Sequence, residues 1–472
     1  MDITFTDGSV EAYEDSAFAF GAQGEVFRSR DGKHAVKLYY PDTSKDPELI
    51  KRIDTLINEL NPTKDDSYWC SFFTWPEKRA TKPKVGFRMP FVEGLKTLEN
   101  FFLRKAYQRL RPEERGWFIG RIACAIKLTS AANRLSTMGL CSPDFSGKNI
   151  MVDAFEGRAV LIDCDSLTVP GRLSAVVEGT RTFRAPELVT RKVTIPSVAS
   201  DRHALASILY HWLLLWDPLR GEKIFDPDPT QDDLLRYGEK ALYIEHPSDT
   251  SNRASKQVFK ASMLGPELEK LFRRAFVDGL YNPNARPQPF QWRDALYHTY
   301  DQIIPCATAH CDWRFFVATV PKPGSRLVCP SCGEPVKAPK TLPFVYIFNH
   351  RGMSNPDEYY TDKSKAHYVV GWPGRHLYQW HTRPDASAVY TDPNRVPDTL
   401  PRAVFEFDQN ANQWYLKNLA PHPMYYRGAS DVAGMWRQWP VDFSIPLTPE
   451  MTLQFGPAPY HCRASVTLEK VG

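Results

Sequence analysis

The stretch Ser142-Pro143-Asp144-Phe145-Ser146-Gly147-Lys148-Asn149 is followed, fourteen residues after its amide, by Asp163 in Leu161-Ile162-Asp163-Cys164-Asp165. An acid, an amide five residues on and a second acid closing an apolar strand can serve few purposes together. They are the parts that phosphoryl transfer needs to hold a base and metal ions around a nucleotide.

Upstream parts fit the same chemistry. In Ala19-Phe20-Gly21-Ala22-Gln23-Gly24-Glu25-Val26 the glycines would let backbone approach phosphates, and Val26 would cover a base. A plain hairpin turn explains two glycines equally well. Ala35-Val36-Lys37 gives the segment more meaning, because Lys37 lies thirteen residues after Gly24 at a strand end, where it can hold phosphates. Such a lysine needs a carboxylate partner from the following helix. Asp46 to Leu60 carries Leu49, Ile50, Ile53, Leu56, Ile57 and Leu60 at helical spacing. Glu48 is the first choice of partner, with Asp54 and Glu59 as rivals.

Taken in order, these residues resemble the protein-kinase superfamily over residues 10 to 300. The resemblance implies Asp144 as the catalytic-loop aspartate, Asn149 and Asp163 as Mg²⁺ (or Mn²⁺) ligands, and Lys37 on the phosphates of ATP. Gly21, Gly24, Val26, Ala35, Glu48, Met89 and Phe91 would surround the nucleotide, with Met89 to Glu93 as the adenine-facing connector. Gly179-Thr180 and Ala185-Pro186-Glu187 look like the end of an activation segment, and Asp201 like the buried aspartate of the large-lobe core helix. Pro283-Asn284-Ala285-Arg286-Pro287 resembles the late loop whose arginine pairs with the Ala-Pro-Glu glutamate, so Arg286 with Glu187 would be structural.

The departures identify an atypical version. Ala19 stands where the pattern has its first glycine. Ser142-Pro143 replaces the usual His-Arg, which leaves no arginine there to clamp a phosphorylated activation segment. Ser146 replaces a lysine, and Asp163-Cys164-Asp165 replaces Asp-Phe-Gly; both changes are similar to the atypical kinases of the RIO type. Asp165 can share the metal or cap a turn. The expected activity is a bacterial-style Ser/Thr protein kinase. A pseudokinase scaffold and a small-molecule phosphotransferase are the rivals, the second disfavoured by the Ala-Pro-Glu segment and Arg286. The layout is also similar to kinases of tellurite-resistance-linked phosphorylation systems, which implies a PP2C-type phosphatase and a von Willebrand A-type protein as partners.

Between residues 303 and 339 the composition turns to Cys, Pro, Gly and Lys. Cys306-x4-Cys311 and Cys329-x2-Cys332 are two short pairs that suit a structural, tetrahedral zinc ribbon, with His310 able to stand in for one cysteine. Cys70, Cys124, Cys141 and Cys462 read as small buried apolar residues. After Leu342 come strand-like runs at 344–348, 368–370, 403–407, 414–416 and 465–468, which argue for a β-sandwich. It weakly resembles a forkhead-associated domain, a phosphothreonine-peptide reader, through Gly374-Arg375, Thr399 to Arg402, Trp414 to Leu419, and Ile445 to Gly456. Trp372, Trp380 and His381 read as core or sheet edge.

The fold class expected is therefore multidomain: an α+β bilobal kinase-like domain over 1–300 (small lobe 1–93, large lobe 94–300), a zinc ribbon over 301–340, and an all-β sandwich over 341–472. Fifty-nine basic and fifty-five acidic residues leave a net charge of +4, and their dispersion demands no nucleic-acid partner. The N-terminus lacks a cationic start and an apolar core, and the apolar window 204–215 is interrupted by His211, short of the ~20 residues that span a bilayer. A cytoplasmic protein with no membrane partner is expected.

Overall fold

The computed structural model describes all residues except 65, 103, 174–178, 321–325, 337–338, 350–358, 360, 365, 384–397, 433–434, 458–459 and 472. The chain divides into two units: residues 1–116, 127–257 and 272–289 form one, and 117–126, 258–271 and 290–472 the other. Both are built on antiparallel sheets.

The first unit begins with β1 (Asp2–Phe5), β2 (Val10–Ala12), β3 (Ala19–Phe20), β4 (Gly24–Arg28), β5 (His34–Tyr39), β6 (Lys78–Lys82) and β7 (Gly86–Pro90), paired in the order β2-β1-β6-β7-β5-β4-β3. Side chains alternate across a strand, so β5 serves two cores. Val36 and Leu38 pack with Ile3, Phe5, Tyr13, Phe27 and Ala80, while Tyr39 packs with Leu49, Ile53 and Phe87. The latter group includes the helix Pro47–Asn58. Its start is set by Asp46, whose carboxylate accepts the Glu48 N–H at 3.0 Å, and by Pro47 in the first turn. Leu49, Ile53 and Leu56 are buried, each worth about 1.5–3 kcal/mol against exposure.

A second, three-stranded sheet follows: β8 (Lys96–Thr97), β9 (Ile150–Asp153) and β10 (Arg158–Leu161), ordered β10-β9-β8. The helix Val198–Leu214 is largely apolar and mostly buried, and Ser197 caps it by accepting the Ser200 N–H. Among the described residues no helix is long and apolar enough to cross a membrane. Arg286 is buried and its two terminal nitrogens each bond a Glu187 carboxylate oxygen at 2.8 Å. It also donates to the carbonyls of Gly279, Leu280 and Ala199. The structural ion pair expected from the sequence is thus formed.

The second unit holds a hairpin of β11 (Ile303–Pro305) and β12 (Phe315–Val317), then two larger sheets. One contains β13 (Thr341–Phe348) and β14 (His367–Val370), and the other begins with β15 (His376–Leu377), β16 (Ala403–Asp408) and β17 (Gln413–Asn418). Further along come β18 (Met424–Arg427), β19 (Arg437–Trp439), β20 (Ser444–Pro446), β21 (Thr452–Gln454) and β22 (Arg463–Lys470). The sheet orders are β14-β13-β22-β21-β18-β19 and β15-β16-β17-β20. The five strand-like runs of the sequence fall in β13, β14, β16, β17 and β22. Trp414 is buried and its indole N–H donates to the Thr341 carbonyl at 2.9 Å.

Cys124, Cys141 and Cys462 are buried as expected, but Cys70 is exposed. It lies in the short turn Ser67–Ser71, where Trp69 and the following Phe72 occupy the interior.

Candidate functional site

Register explains how the site is assembled. In the β9–β10 hairpin Ile150 faces Leu161, and one step further Ile162 donates its N–H to the Asn149 carbonyl at 2.9 Å. Asn149 and Asp163 are therefore brought to the same end of the hairpin. Asn149 Nδ2 donates to the Asp144 carbonyl at 2.9 Å, which orients the amide and leaves its Oδ1 available as an acceptor. Asp144 Oδ1 accepts the Thr180 N–H at 2.9 Å. This contact needs Gly179, because a Cβ there would lie 2.1 Å from the Pro143 carbonyl oxygen.

Asp163 adopts a left-handed conformation, φ 58° and ψ 39°, uncommon for a residue other than glycine and a conformation concentrated at functional sites. The turn that follows, Cys164–Ser166, points Asp165 into the interior, where it is 3% exposed. Lys37 reaches both acids: its Nζ is 2.8 Å from Asp163 Oδ1 and 2.8 Å from Asp165 Oδ2. Tyr39, two residues along the same face of β5, donates its hydroxyl to Asp165 Oδ2 at 2.5 Å. Burial alone would pull the Lys37 ammonium down. The charges of Asp165 and then Asp163 more than offset it and hold the group above the usual lysine range. Burial and the Asp165 charge raise Asp163, whereas Asp165 stays low despite its burial because Lys37 and Tyr39 stabilise its charge.

The pairing of Lys37 differs from the sequence expectation. Glu48 is exposed and sits 3.8 Å from Lys51, Asp54 binds Arg79 at 2.7 Å, and Glu59 pairs with Arg172. The helix stripe that meets the sheet is Leu49, Arg52, Ile53 and Leu56, so Arg52, not an acid, is turned inward. It donates to the Leu167 carbonyl at 2.5 Å.

The other expected nucleotide contacts separate into two groups. Val26 pairs with Lys37, and Ala35 with Met89, so all four side chains share one face of the sheet. Phe91 instead packs edge-on against Phe18 at 5.4 Å, with the Arg28 guanidinium 4.5 Å from its ring centre. Gly24 is required by packing, since a Cβ would lie 2.3 Å from the Leu38 carbonyl oxygen, while Gly21 meets nothing closer than 3.7 Å. Asp144, Asn149 and Asp163 line a pocket of about 580 Å³, its solvent-open part included, along with Leu135, Phe145 and Leu167. Asp201 lines it too; burial pushes its carboxyl up to about 8, against the Ser142 N–H it accepts at 2.8 Å.

The donor set fits a hard divalent cation. Asp163 is partly exposed, Asn149 offers its amide oxygen, and Asp165 Oδ1 is buried with no hydrogen-bond partner among the described residues. All three are oxygens, as Mg²⁺ prefers.

In the second unit Cys306 and Cys332 have sulfurs 3.6 Å apart, Cys311 and Cys329 3.7 Å apart, and all four lie within 4.8 Å of one another. A zinc tetrahedron with Zn–S bonds of about 2.3 Å has edges of about 3.8 Å, so the cluster could bind a zinc ion. Four protein sulfurs leave no open position for water, which makes such a site structural. His310 is exposed and outside the cluster.

One feature escapes the sequence reading. Asp301 is buried between His367 and His381, whose Nε2 atoms lie 2.8 and 2.9 Å from its Oδ2. The Tyr378 N–H donates to His381 Nδ1 at 2.9 Å, which fixes that ring as the Nε2–H tautomer and makes it a donor to Asp301 rather than a metal ligand. Arg375, part of the weak resemblance to a forkhead-associated domain, is 4% exposed and bonds the carbonyls of Tyr300 and Ile303 at 2.9 and 2.6 Å. Thr399 is exposed, and Arg402 pairs with Asp398. The residues 384–397 between these motifs lie outside the described ones. No protein-family model and no curated protein matches this sequence.

Proposed function

We propose that this chain is an ATP-dependent protein kinase of the atypical, RIO-like kind, transferring the γ-phosphoryl group to a protein Ser or Thr hydroxyl. The observation that carries the reading is the ion pair of Lys37 with Asp163, 2.8 Å between residues 126 apart, joined to the Asn149–Asp144 hydrogen bond. It gathers a phosphate-holding cation, a cation-binding acid and amide, and a base into one site, which is what positioning and charge stabilisation of phosphoryl transfer require.

In this reading Val26, Ala35 and Met89 face the base, and Gly21 and Gly24 the phosphates. Lys37 draws the phosphates toward the acids. Asp144 orients the acceptor hydroxyl and takes its proton, held in place by the Thr180 N–H. Asn149 and Asp163 would hold Mg²⁺, which when bound neutralises charge on the phosphate oxygens. The second unit is proposed as a zinc-stapled partner-binding module of forkhead-associated type. Its phosphopeptide contact would have to avoid Arg375, which is committed to carbonyls. A PP2C-type phosphatase and a von Willebrand A-type protein are the proposed partners.

Purified protein with radiolabelled ATP and Mg²⁺ tests the reading. Labelling of itself or of a generic protein substrate that disappears in Asp144→Asn supports it. ATP binding without transfer indicates a scaffold, and transfer only to a sugar or aminoglycoside indicates a small-molecule enzyme.

A further inference from the structure

We infer that Asp165 is the positioning residue for Lys37, taking the place of a carboxylate from the helix Pro47–Asn58. The inference rests on the phosphoryl-transfer reading of the site, and it assigns different tasks to the two acids that Lys37 touches.

The two acids are not equivalent. Asp163 has a side chain 40% exposed, whereas that of Asp165 is 2% exposed. Asp163 can turn toward a ligand and let water replace it. Asp165 cannot, because its Oδ2 also holds the Tyr39 hydroxyl, and leaving would strand two buried donors. When Asp163 engages a cation, Lys37 therefore keeps one carboxylate, fixed at 2.8 Å.

The surroundings are built for this second buried acid. Arg52 enters from the helix, bonds the Leu167 carbonyl and stabilises the Asp165 charge. Two cations, Lys37 and Arg52, thus face two carboxylates. A helix glutamate at the Arg52 position would give three acids against one cation, an arrangement that burial would not tolerate. The matched spacing Lys37-x-Tyr39 and Asp163-x-Asp165 places both partners by strand and turn geometry, with no contribution from the rotation of the helix.

The test reads the Lys37–Asp165 pair directly. In urea denaturation of the full chain, Asp165→Asn should lower the midpoint by more than Asp163→Asn, and Glu48→Gln should leave it at the wild-type value. The loss in Asp165→Asn should shrink when Lys37→Met is added, because no unpaired ammonium is then buried, and no such coupling should join Lys37→Met to Glu48→Gln. Under transfer conditions Asp165→Asn should lower kcat while Glu48→Gln leaves it unchanged. Coupling of Lys37 to Glu48 and not to Asp165 overturns the inference. Should Asp165→Asn fail to fold, the double variant with Lys37→Met should fold; equal failure of both also overturns it. Absence of transfer in the wild type would count against the kinase reading alone, since the coupling is read without ATP.

Discussion

The Arg286–Glu187 pair offers a prediction that depends on structure and not on activity. Arg286 has a fully buried side chain and makes five hydrogen bonds: two to the glutamate and one each to the carbonyls of Gly279, Leu280 and Ala199. Glu187→Gln keeps the shape but turns an amide NH₂ against a guanidinium N–H and removes the counter-charge. Breaking a buried pair from one side costs about 3–5 kcal/mol, and because Glu187 itself is 17% exposed the lower end is expected. Arg286→Met leaves three carbonyls without their donor, at about 1 kcal/mol each, and an acid that can partly rehydrate, so its loss should also be about 3 kcal/mol. The double variant Glu187→Gln with Arg286→Met should lose about 2 kcal/mol less than the sum of the single changes, as expected for partners in direct contact. Urea denaturation followed by tryptophan fluorescence measures all of these. Single variants within about 0.5 kcal/mol of wild type, or strict additivity, would refute the reasoning.

Three further outcomes follow from other parts of the molecule. Metal analysis should find one zinc per chain, lost in Cys329→Ser, whose parent sulfur lies 3.7 Å from Cys311; a metal-free wild type with four reactive thiols would contradict the site. Asp201 has a folded pKa raised to about 8 from 3.8, so its contribution to stability is fully present below the lower value and is lost as pH rises through the upper one. Denaturation curves between pH 4 and 8 should therefore fall more steeply for wild type than for Asp201→Asn, and parallel curves would count against a buried acid there. Gly179→Ala should destabilise by about 1–3 kcal/mol in the same urea assay, because its methyl would meet the Pro143 carbonyl.

What the sequence could and could not reveal follows from how each contact is made. Asp144, Asn149 and Asp163 belong to one loop and one hairpin, so local spacing alone carries them to a common place. The strand at 34–39 is equally legible, and its alternation puts Tyr39 on the face of Lys37. The partner of Lys37 depended on the rotation of the helix. The stripe Leu49, Arg52, Ile53 and Leu56 turns Arg52 inward and Glu48 outward, and only packing decides this. Asp301 with His367 and His381 was beyond reach, since the contacts span 66 and 80 residues between unrelated elements. Arg375 carried a misleading local motif, because burial against backbone carbonyls is invisible in a dipeptide.

The central claim is that Lys37, Asp144, Asn149 and Asp163 form a phosphoryl-transfer site, and ATP turnover tests it most directly. Wild-type protein with Mg²⁺ and radiolabelled ATP should label a protein hydroxyl, and Asp144→Asn and Asp163→Asn should each lower that rate by about 100-fold or more. Labelling that persists undiminished in both variants would contradict the account.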